Sequence, residues 1–305
     1  MEIEVRPAKT RDEEQLSLEL HNAVWPLAAV TMAEVDSFKH GALAYTDRLA
    51  WLGSEPVGSG FASIRPQRPR VAHAAITVLP AHRRRGAGTA LHCALSAWSA
   101  EHGLEALETV VEEDDAENLA FAGRRGFVEI ERNGRMILEL ADVEPTLVAA
   151  PAGVEIVTWA ERPELDRGIY DVAVEAYADV PGAEREEMEP FADWLAHDMR
   201  GSGDLPEATF VAVAGDEVVG YAKFSLTAAQ PTTAFHDMTG VKRAWRGLGI
   251  AGALKRAQIA WAKGRGYDRL VTSNELRNEP IKRLNAALGY RPAPGRVLLR
   301  GPLAP

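Results

Sequence analysis

The sequence has little of several features that would define its class at once. Cys93 is its only cysteine, so an internal disulfide and a cysteine-based metal cluster are both excluded. Cys93 lies among apolar residues of a predicted helix, and we expect it to be a buried packing residue rather than a nucleophile. No apolar run reaches the roughly 18 residues of a membrane-spanning helix, and the first residues do not form a signal peptide. We therefore expect a cytoplasmic protein that binds no membrane.

Positive charge is also in short supply. The chain carries 34 basic and 44 acidic residues, which gives a formal net charge of −10. That balance argues against broad binding of nucleic acid. Patterns of metal, heme or flavin ligands are absent as well. With 305 residues, of which 46% are hydrophobic, the chain is long enough for two globular domains of about 150 residues each.

A stretch of 55 residues occurs twice in the chain. Residues 73–127 align without a gap to residues 236–290, and fifteen of the aligned positions are identical. A repeat of this length predicts two copies of one domain. Residues 141–153 carry few signals for helices or strands and two prolines, so we interpret them as a linker. The predicted domains are 1–148 and 149–305.

Two local predictions concern the ends of these domains. Residues 128–140 read as a β-hairpin, because Asn133-Gly134 is a strong turn signal between two short apolar runs. Residues 184–199 read as a helix with one acidic side.

At the centre of each repeat lies a loop with the pattern Arg-x-x-Gly-x-Gly/Ala. The first copy runs from Arg83 to Gly88, and the second from Arg246 to Ala251. An apolar strand precedes each loop, and a helical pattern follows it. The first amides of a helix lack internal partners and attract negative charge, so a glycine loop at this point forms a phosphate-binding site.

These loops have two other possible interpretations. A single copy would be as well explained by a plain strand–helix turn, but two copies in register favour a pyrophosphate site. Residues 247–252 also match the dinucleotide pattern Gly-x-Gly-x-x-Gly. The basic residues before this segment, the lack of the third glycine in the first copy and the lack of an acidic residue that ends a second strand at the expected distance argue against that interpretation. Arg84 and Arg85 have no counterpart in the second copy and could be surface charge.

Together with Gly126-Phe127 and Gly289-Tyr290 about 40 residues later, the two loops resemble those of the GCN5-related N-acetyltransferase (GNAT) family. The resemblance covers nearly the whole chain as two tandem domains, a layout similar to that of mycothiol synthase. It implies an α/β fold in which each domain is a twisted mixed sheet with a splayed strand pair and flanking helices.

The resemblance also implies that the chain binds acetyl-CoA. Pantetheine would lie between the splayed strands, with Val78 and Val241 as β-bulge residues whose amides lie near the thioester oxygen. The residues that would hold the cofactor are Ile76, Thr77, Val78, Arg83, Arg84, Arg85, Gly86, Ala87, Gly88 and Thr89 in the first copy, and Thr239, Gly240, Val241, Arg246, Gly247, Leu248, Gly249, Ile250, Ala251, Asn278 and Asn285 in the second.

Catalysis needs a base, because an acceptor amine attacks only in its neutral form. His73 and His236 match across the repeat, and Asp237 adjoins His236, so these three residues are the candidate bases. Packing or hydrogen bonding is the alternative role for both histidines. Family members often carry a tyrosine four residues before the Gly-Phe pair, to protonate the thiolate. Ala122 and Asn285 stand at that position here.

These features predict an N-acetyltransferase that transfers the acetyl group of acetyl-CoA to an amine of a small-molecule acceptor. The absent tyrosines leave open a non-catalytic protein that binds or senses acyl-CoA, or a chain with one catalytic domain. The second domain is favoured as the catalytic one, because Asn278 keeps the family residue where the first copy has Asp115. A monomer or a homodimer is expected.

Overall fold

The computed structural model describes residues 2–144, 150–180, 188–201 and 203–305, with only the backbone of Glu275. The chain forms two compact units. Unit 1 comprises Met1–Arg132 and Arg296–Pro305, and unit 2 comprises Asn133–Gly295. The predicted boundary between positions 148 and 149 lies outside the described residues and stays a prediction. So does the beginning of the helix predicted for 184–199, whose described part runs from Phe191 to His197.

The first half of the chain is a mixture of strands and helices. Its elements are β1 (Ile3–Pro7), α1 (Arg11–Val24), α2 (Met32–His40), β2 (Ala44–Leu52), β3 (Glu55–Arg65), β4 (Arg68–Val78), α3 (Ala87–Glu101), β5 (Ala106–Glu112), α4 (Ala116–Gly123) and β6 (Val128–Glu139). In unit 1 the strands β1 to β5 lie in chain order. Neighbouring strands are antiparallel except for β4 and β5, which are parallel.

The second half repeats this arrangement. Its elements are β7 (Glu155–Thr158), α5 (Asp166–Tyr177), α6 (Phe191–His197), β8 (Asp204–Ala214), β9 (Glu217–Leu226), β10 (Thr233–Val241), α7 (Ile250–Gly264), β11 (Arg269–Glu275), α8 (Glu279–Ala287) and β12 (Arg291–Pro302). In unit 2 the strands β7 to β11 lie in chain order, and the parallel pair is β10 and β11. The mixed α/β fold predicted from the sequence is therefore confirmed.

The last strand of each unit's sheet comes from the other half of the sequence. In unit 1 the end of β12 pairs antiparallel with β5, so that Val297 lies opposite Val111. In unit 2 the end of β6 pairs antiparallel with β11, so that Leu138 lies opposite Leu270. Val297 and Leu138 are both buried. Each unit thus obtains part of its core from a strand distant in sequence.

The hairpin predicted for residues 128–140 is wrong. β6 runs without a turn from Val128 to Glu139, and Gly134 sits in the ladder opposite Asn274. Gly134 is there because of close packing: a Cβ atom at this position would lie 2.8 Å from the side chain of Leu276. A turn signal in the sequence was overridden by pairing with a strand from the second half, which propensity does not register.

Local signals fix the helix starts near the site. Thr10 caps α1 through a capping box with Glu13, as its sequence predicts, and Thr31 caps α2 in the same way with Glu34. Cys93, predicted to be buried, is exposed. The buried face of α3 contains Leu91 and Leu95, and a residue two positions after Leu91 points to the opposite side of a helix.

Candidate active site

The parallel strands separate in both units, as the fold prediction requires. In unit 1 the ladder between β4 and β5 is recorded at Ala72 and His73 only, while β4 continues to Val78. In unit 2 the ladder between β10 and β11 ends at His236, while β10 continues to Val241. Beyond these points the facing backbone groups of the two strands are not paired with each other, so a ligand can lie between the strands.

The bulge assigned to Val78 and Val241 is wrong. Val78 lies opposite Gly58 and Val241 opposite Gly220, in register with the residues before them. The irregularity in β10 lies between His236 and Met238, so Asp237 is the extra residue. A bulge changes the count of residues on one strand relative to its partner, and the sequence of one strand does not reveal it.

The two phosphate-type loops have the same backbone. Gly86 caps α3 with φ 97° and Gly249 caps α7 with φ 87°, and neither helix start has a side-chain cap. The first amides of both helices therefore remain available to a ligand. The arginine of each loop ties it to the preceding strand: Arg83 Nε donates to the carbonyl of Val78 at 3.2 Å, and Arg246 Nε to that of Val241 at 2.9 Å.

Backbone strain marks the loop of unit 1. Among the described residues, Arg84 is the only non-glycine with positive φ, at 62°. Its counterpart in the repeat is Gly247, with φ 77°. An arginine kept in a conformation that suits glycine costs about 1–3 kcal/mol, and such strain concentrates at functional sites. Arg84, which by sequence alone could be surface charge, thus occupies a position where glycine would cost less conformational free energy.

The charge around the two loops differs. In unit 2 the side chain of Asp179 pairs with both Arg243 and Arg246 at 2.7 Å, and these arginines lower its pKa to about 2. In unit 1 Arg83 pairs with Glu117 at 3.1 Å. Arg84 has no ion pair within the described part of the chain, and it is exposed. The loop of unit 1 therefore keeps more uncompensated positive charge.

A cavity of about 320 Å³ lies in unit 1 between the separated strands. Its walls come from β4, β5, α1, α3 and α4. Six of the predicted cofactor residues line it, namely Ile76, Val78, Arg83, Arg84, Ala87 and Gly88. Thr77 is not among the lining residues, and its hydroxyl accepts a hydrogen bond from the indole of Trp25 at 3.1 Å. Arg85, Gly86 and Thr89 are exposed beside the helix start. The cavity thus reaches from the split in the sheet to the phosphate-type loop.

Some residues of this cavity were not singled out from the sequence. His21 and Trp25, from α1 and its C-terminal end, and Phe121, from α4, all line it. The ring of Phe121 would lie 3.1 Å from a Cβ atom added at Gly88, which explains the small residue in the loop pattern. Aromatic residues at helix ends are common core residues, so the sequence contains no signal that separates these three from packing positions.

His73 also lines the cavity, and its imidazole makes no hydrogen bond within the described part of the chain. Its ring lies 6.0 Å from that of Phe61, measured between centroids. Burial, followed by the charges of Arg65 and Arg68, lowers the pKa of His73 to about 4. The imidazole is therefore neutral at neutral pH and has a free nitrogen electron pair.

The two candidate bases of unit 2 have different surroundings. His236 is buried, its Nε2 is hydrogen-bonded to the hydroxyl of Tyr290, and burial holds its pKa well below the usual value. Asp237 is 41% exposed and forms an ion pair of 2.8 Å with Lys223. The buried Lys223 also contacts Asp204 at 2.9 Å. Of the two residues, only Asp237 has a side chain that solvent reaches.

The remaining predicted residues of unit 2 occupy three kinds of position. Thr239, Gly240 and Val241 lie in the ladder with β9, Ile250 is buried in the core, and Gly247, Leu248 and Ala251 lie around the helix start. Gly240 is explained by packing, because a Cβ atom there would lie 2.8 Å from that of Ala176.

Two polar positions after β5 and β11 differ between the units. Asp115 accepts a hydrogen bond from the backbone amide of Asn118 at 2.9 Å and so caps α4. Asn278 occupies the matched position before α8 and makes no side-chain cap. Asn285 is buried, and its amide nitrogen donates to Asn274 at 2.9 Å. The side chain of Asp115 thus caps a helix in unit 1, whereas the side chain of Asn278 caps none in unit 2.

Within the residues that the structure describes, no helix is long and apolar enough to cross a membrane. The same residues contain no group of three or more histidine, cysteine, aspartate or glutamate side chains arranged to hold a metal ion.

Comparisons with known proteins agree with this geometry. The model of the acetyltransferase (GNAT) family matches residues 12–127 and 167–290. No curated protein sequence matches the chain. Among solved structures, a tandem GNAT protein from the clavulanic acid biosynthesis pathway superposes with a TM-score of 0.80 and 22% identity, covering 100% of this chain and 99% of that one.

A GCN5-related N-acetyltransferase from Sphaerobacter thermophilus has a TM-score of 0.75 and 22% identity, covering 99% of this chain and 96% of its own. An acetyltransferase of the GNAT family from Colwellia psychrerythraea has a TM-score of 0.66 and 13% identity, with 99% and 100% covered. At these identities the structures establish the fold alone. The family model matches most of the chain in two segments, and the chain therefore belongs to the GNAT family of acetyltransferases, as two tandem domains.

Proposed function

We propose that the protein is an N-acetyltransferase that uses acetyl-CoA as donor and an amine of a small molecule as acceptor. Acyl transfer is the reaction of its family. The observation that carries the proposal is the cavity of unit 1, which joins the split between β4 and β5 to an uncapped helix start beside Arg84. A long, partly apolar ligand with an anionic end has the shape and charge for this site.

The residues of unit 1 fit such a ligand at both ends. The amides at the start of α3, with Arg84 and Arg85, would hold the pyrophosphate. The inner part of the cavity is apolar around Ile76, Val111 and Phe121, which suits the pantetheine chain. Backbone amides of β4 that the ladder with β5 leaves unpaired would be available to the pantetheine amides and to the thioester oxygen.

Acetyl-CoA supplies the acetyl group as a thioester when it is bound. Transfer forms a bond between the amine nitrogen and the acetyl carbon, breaks the bond between that carbon and sulfur, and moves one amine proton. His73 is the residue of unit 1 placed to accept that proton, because it lines the cavity and is neutral at pH 7. Since Ala122 stands at the position of the family tyrosine, water would protonate the thiolate.

The sequence favoured unit 2 as the catalytic domain, and the geometry supports unit 1. The matched loop arginines are both ion-paired, Arg246 with Asp179 and Arg83 with Glu117, but unit 1 has in addition Arg84, which has no ion pair among the described residues. Asp115, which stands in unit 1 where unit 2 has Asn278, serves as a helix cap. Asp237 remains the candidate base of unit 2. His236 has no route to an acceptor proton, because its ring is buried and bonded to Tyr290.

Calorimetry with acetyl-CoA tests the cofactor site. A Cβ atom at Gly86 would meet no other atom within 4 Å, but φ 97° strains any residue with a side chain, so Gly86→Asp is compared with an equally strained neutral variant. The added carboxylate would repel the pyrophosphate, and we expect affinity to fall at least tenfold. Gly86→Asn is the matched neutral control and should bind much more tightly than the aspartate variant. Equal affinities for wild type and both variants would contradict a phosphate site at this loop.

A non-catalytic acyl-CoA-binding protein is the second candidate, favoured by the missing tyrosines at Ala122 and Asn285. A screen of small amines with detection of free CoA thiol distinguishes the two. Tight binding of acetyl-CoA without turnover for any amine class would favour the binding protein. The cytoplasmic location stays a prediction that cell fractionation can test. The monomeric or homodimeric state stays a prediction that a sizing experiment can test.

A further inference from the structure

A group of buried polar side chains in unit 2 stands where unit 1 has its cavity. The repeat matches Lys255 with His92, and Tyr290 with Phe127, and both of these unit 1 residues line the cavity. It also matches Gln258 with the core residue Leu95. We call Lys255, Gln258, His236 and Tyr290 the Lys255 cluster. The mechanism proposed for unit 1 uses none of these four residues.

The cluster is closed to solvent and its members touch. The exposed fractions are 1% for Lys255, 0% for Gln258, 8% for His236 and 3% for Tyr290. The hydroxyl of Tyr290 is bonded to Nε2 of His236, and Gln258 lies beside the same ring. Nζ of Lys255 lies 5.6 Å from the centre of the Tyr290 ring. Three elements, α7, β10 and the segment before β12, thus direct polar groups to one point.

Two polar groups of the cluster lack a full set of partners. Within the described part of the chain, no hydrogen bond reaches Nζ of Lys255. The side chains of Gln258 and His236 are hydrogen-bonded to each other, which leaves one polar atom of the Gln258 amide for a further partner. Buried polar groups in proteins are almost always hydrogen-bonded, and each orphan costs about 1–3 kcal/mol. An unpaired buried ammonium group and an unpaired amide atom three residues later on the same helix indicate that a polar ligand completes the cluster.

The charge of the cluster determines which kind of ligand it can bind. Lys255 is its one basic side chain, and no charged neighbour offsets the effect of burial, which lowers the pKa of Lys255 to about 7. His236 is neutral at this pH, and the pKa of Tyr290 is raised by burial, so neither titrates with Lys255. One buried cation is balanced by one negative charge, whereas a dianion would leave an uncompensated charge in the interior.

From this geometry we propose that the Lys255 cluster is a binding site for a carboxylate group. One carboxylate oxygen accepts from the ammonium of Lys255, and the other accepts from the amide nitrogen of Gln258. The carbonyl oxygen of Gln258 accepts a further ammonium proton. The carboxylate belongs either to a free small acid or to the end of an acyl chain that enters between β10 and β11. The site does not depend on whether unit 1 binds acetyl-CoA.

Two titrations of the full chain distinguish these sources. Calorimetry in chloride-free buffer with sodium acetate probes a free monocarboxylate. Succinyl-CoA against butyryl-CoA, which has an acyl chain of equal length without the charge, probes a tethered one. We expect wild type to bind acetate, or to prefer succinyl-CoA over butyryl-CoA at least tenfold. Absence of both would overturn the proposal.

Variants locate the binding at the cluster. Lys255→Met removes the charge and keeps the length of the side chain, so it should fold and lose at least tenfold in carboxylate affinity. Lys282→Met, which breaks a surface ion pair of 2.7 Å with Glu279, is the control and should bind like wild type. Unchanged binding by Lys255→Met, or equal loss in both variants, would contradict a site at Lys255.

A third variant and a pH series test the site even if Lys255→Met does not fold. Gln258→Leu installs the residue of unit 1 and should weaken carboxylate binding while Lys255 stays in place. In wild type, affinity should fall as pH rises from 6 to 8, because the amine of Lys255 loses its proton over this range. A carboxylate affinity that is flat over this range and unaffected by Gln258→Leu would overturn the proposal.

Discussion

At the scale of single residues, Arg84 couples stability to binding. Its φ of 62° suits glycine, and Gly247 occupies the matched position. We expect Arg84→Gly to raise the free energy of unfolding by about 1 kcal/mol, because the backbone strain is released. The same change should weaken acetyl-CoA binding, because a loop charge is lost. Thermal melts and calorimetry measure the two effects. A destabilised variant would contradict backbone strain at Arg84, and a variant that binds acetyl-CoA as tightly as wild type would contradict a role of Arg84 in binding.

Lys223 is a second position where one residue decides local stability. It is buried, contacts Asp204 and Asp237, and its removal would leave uncompensated carboxylates. We expect Lys223→Met to lower the free energy of unfolding by about 3 kcal/mol or more. Lys242→Met is the matched control, because Lys242 pairs with Glu217 at the surface and should cost less than about 1 kcal/mol. Urea unfolding compares them, and equal losses would refute the distinction.

His73 gives a prediction for both pH dependence and activity. Its pKa in the folded state is about 4, below the usual value of about 6.5 for unfolded histidine. Between these values the unfolded state binds more protons, so wild type should lose stability as pH falls from 6.5 to 4. His73→Gln should reduce this loss.

Turnover of the same variant tests the proposed proton transfer. We expect His73→Gln to lower kcat by about 100-fold or more, which is typical for loss of a general base. Asp237→Asn removes the remaining candidate base of unit 2 and should leave turnover near that of wild type. The reverse result would assign the chemistry to unit 2.

At the scale of elements, the two strand–loop–helix segments are alike in backbone and different in charge. Gly86→Asp and Gly249→Asp place the same carboxylate at the start of α3 and of α7. We expect Gly86→Asp to abolish turnover with a responsive amine and Gly249→Asp to leave most of it, because only unit 1 joins its loop to the described cavity. Loss confined to Gly249→Asp would place the reaction in unit 2, and equal partial losses would mean that both units are active.

At the scale of the whole molecule, each unit depends on a strand from the other half of the sequence. A fragment of residues 1–148 lacks the end of β12, including the buried Val297 and Leu299. A fragment of residues 149–305 lacks β6, including the buried Leu138. We expect neither fragment to melt cooperatively alone, and the two to regain acetyl-CoA binding when they are co-expressed. A cooperative melt of residues 1–148 alone would contradict this dependence.

The sequence by itself determined the class of fold, the tandem layout and the phosphate-type loops. These features are local or repeated. Strand, glycine and helix follow one another within a few residues, and the two copies align at a constant offset of 236 − 73 = 163 positions. The capping residue Thr10 and the left-handed glycines Gly86 and Gly249 are of the same kind, because their conformations depend on immediate neighbours.

Only the tertiary structure decided which residues meet. The continuous strand through Gly134, the exchange of β6 and β12 and the bulge at Asp237 all depend on partners that are distant in sequence. The repeat aligns His73 with His236 as equals, yet one lines a cavity and the other is buried against Tyr290. The physical reason is that burial and charge are properties of the packed neighbourhood, and they set the pKa and access of a side chain whatever its position in a motif.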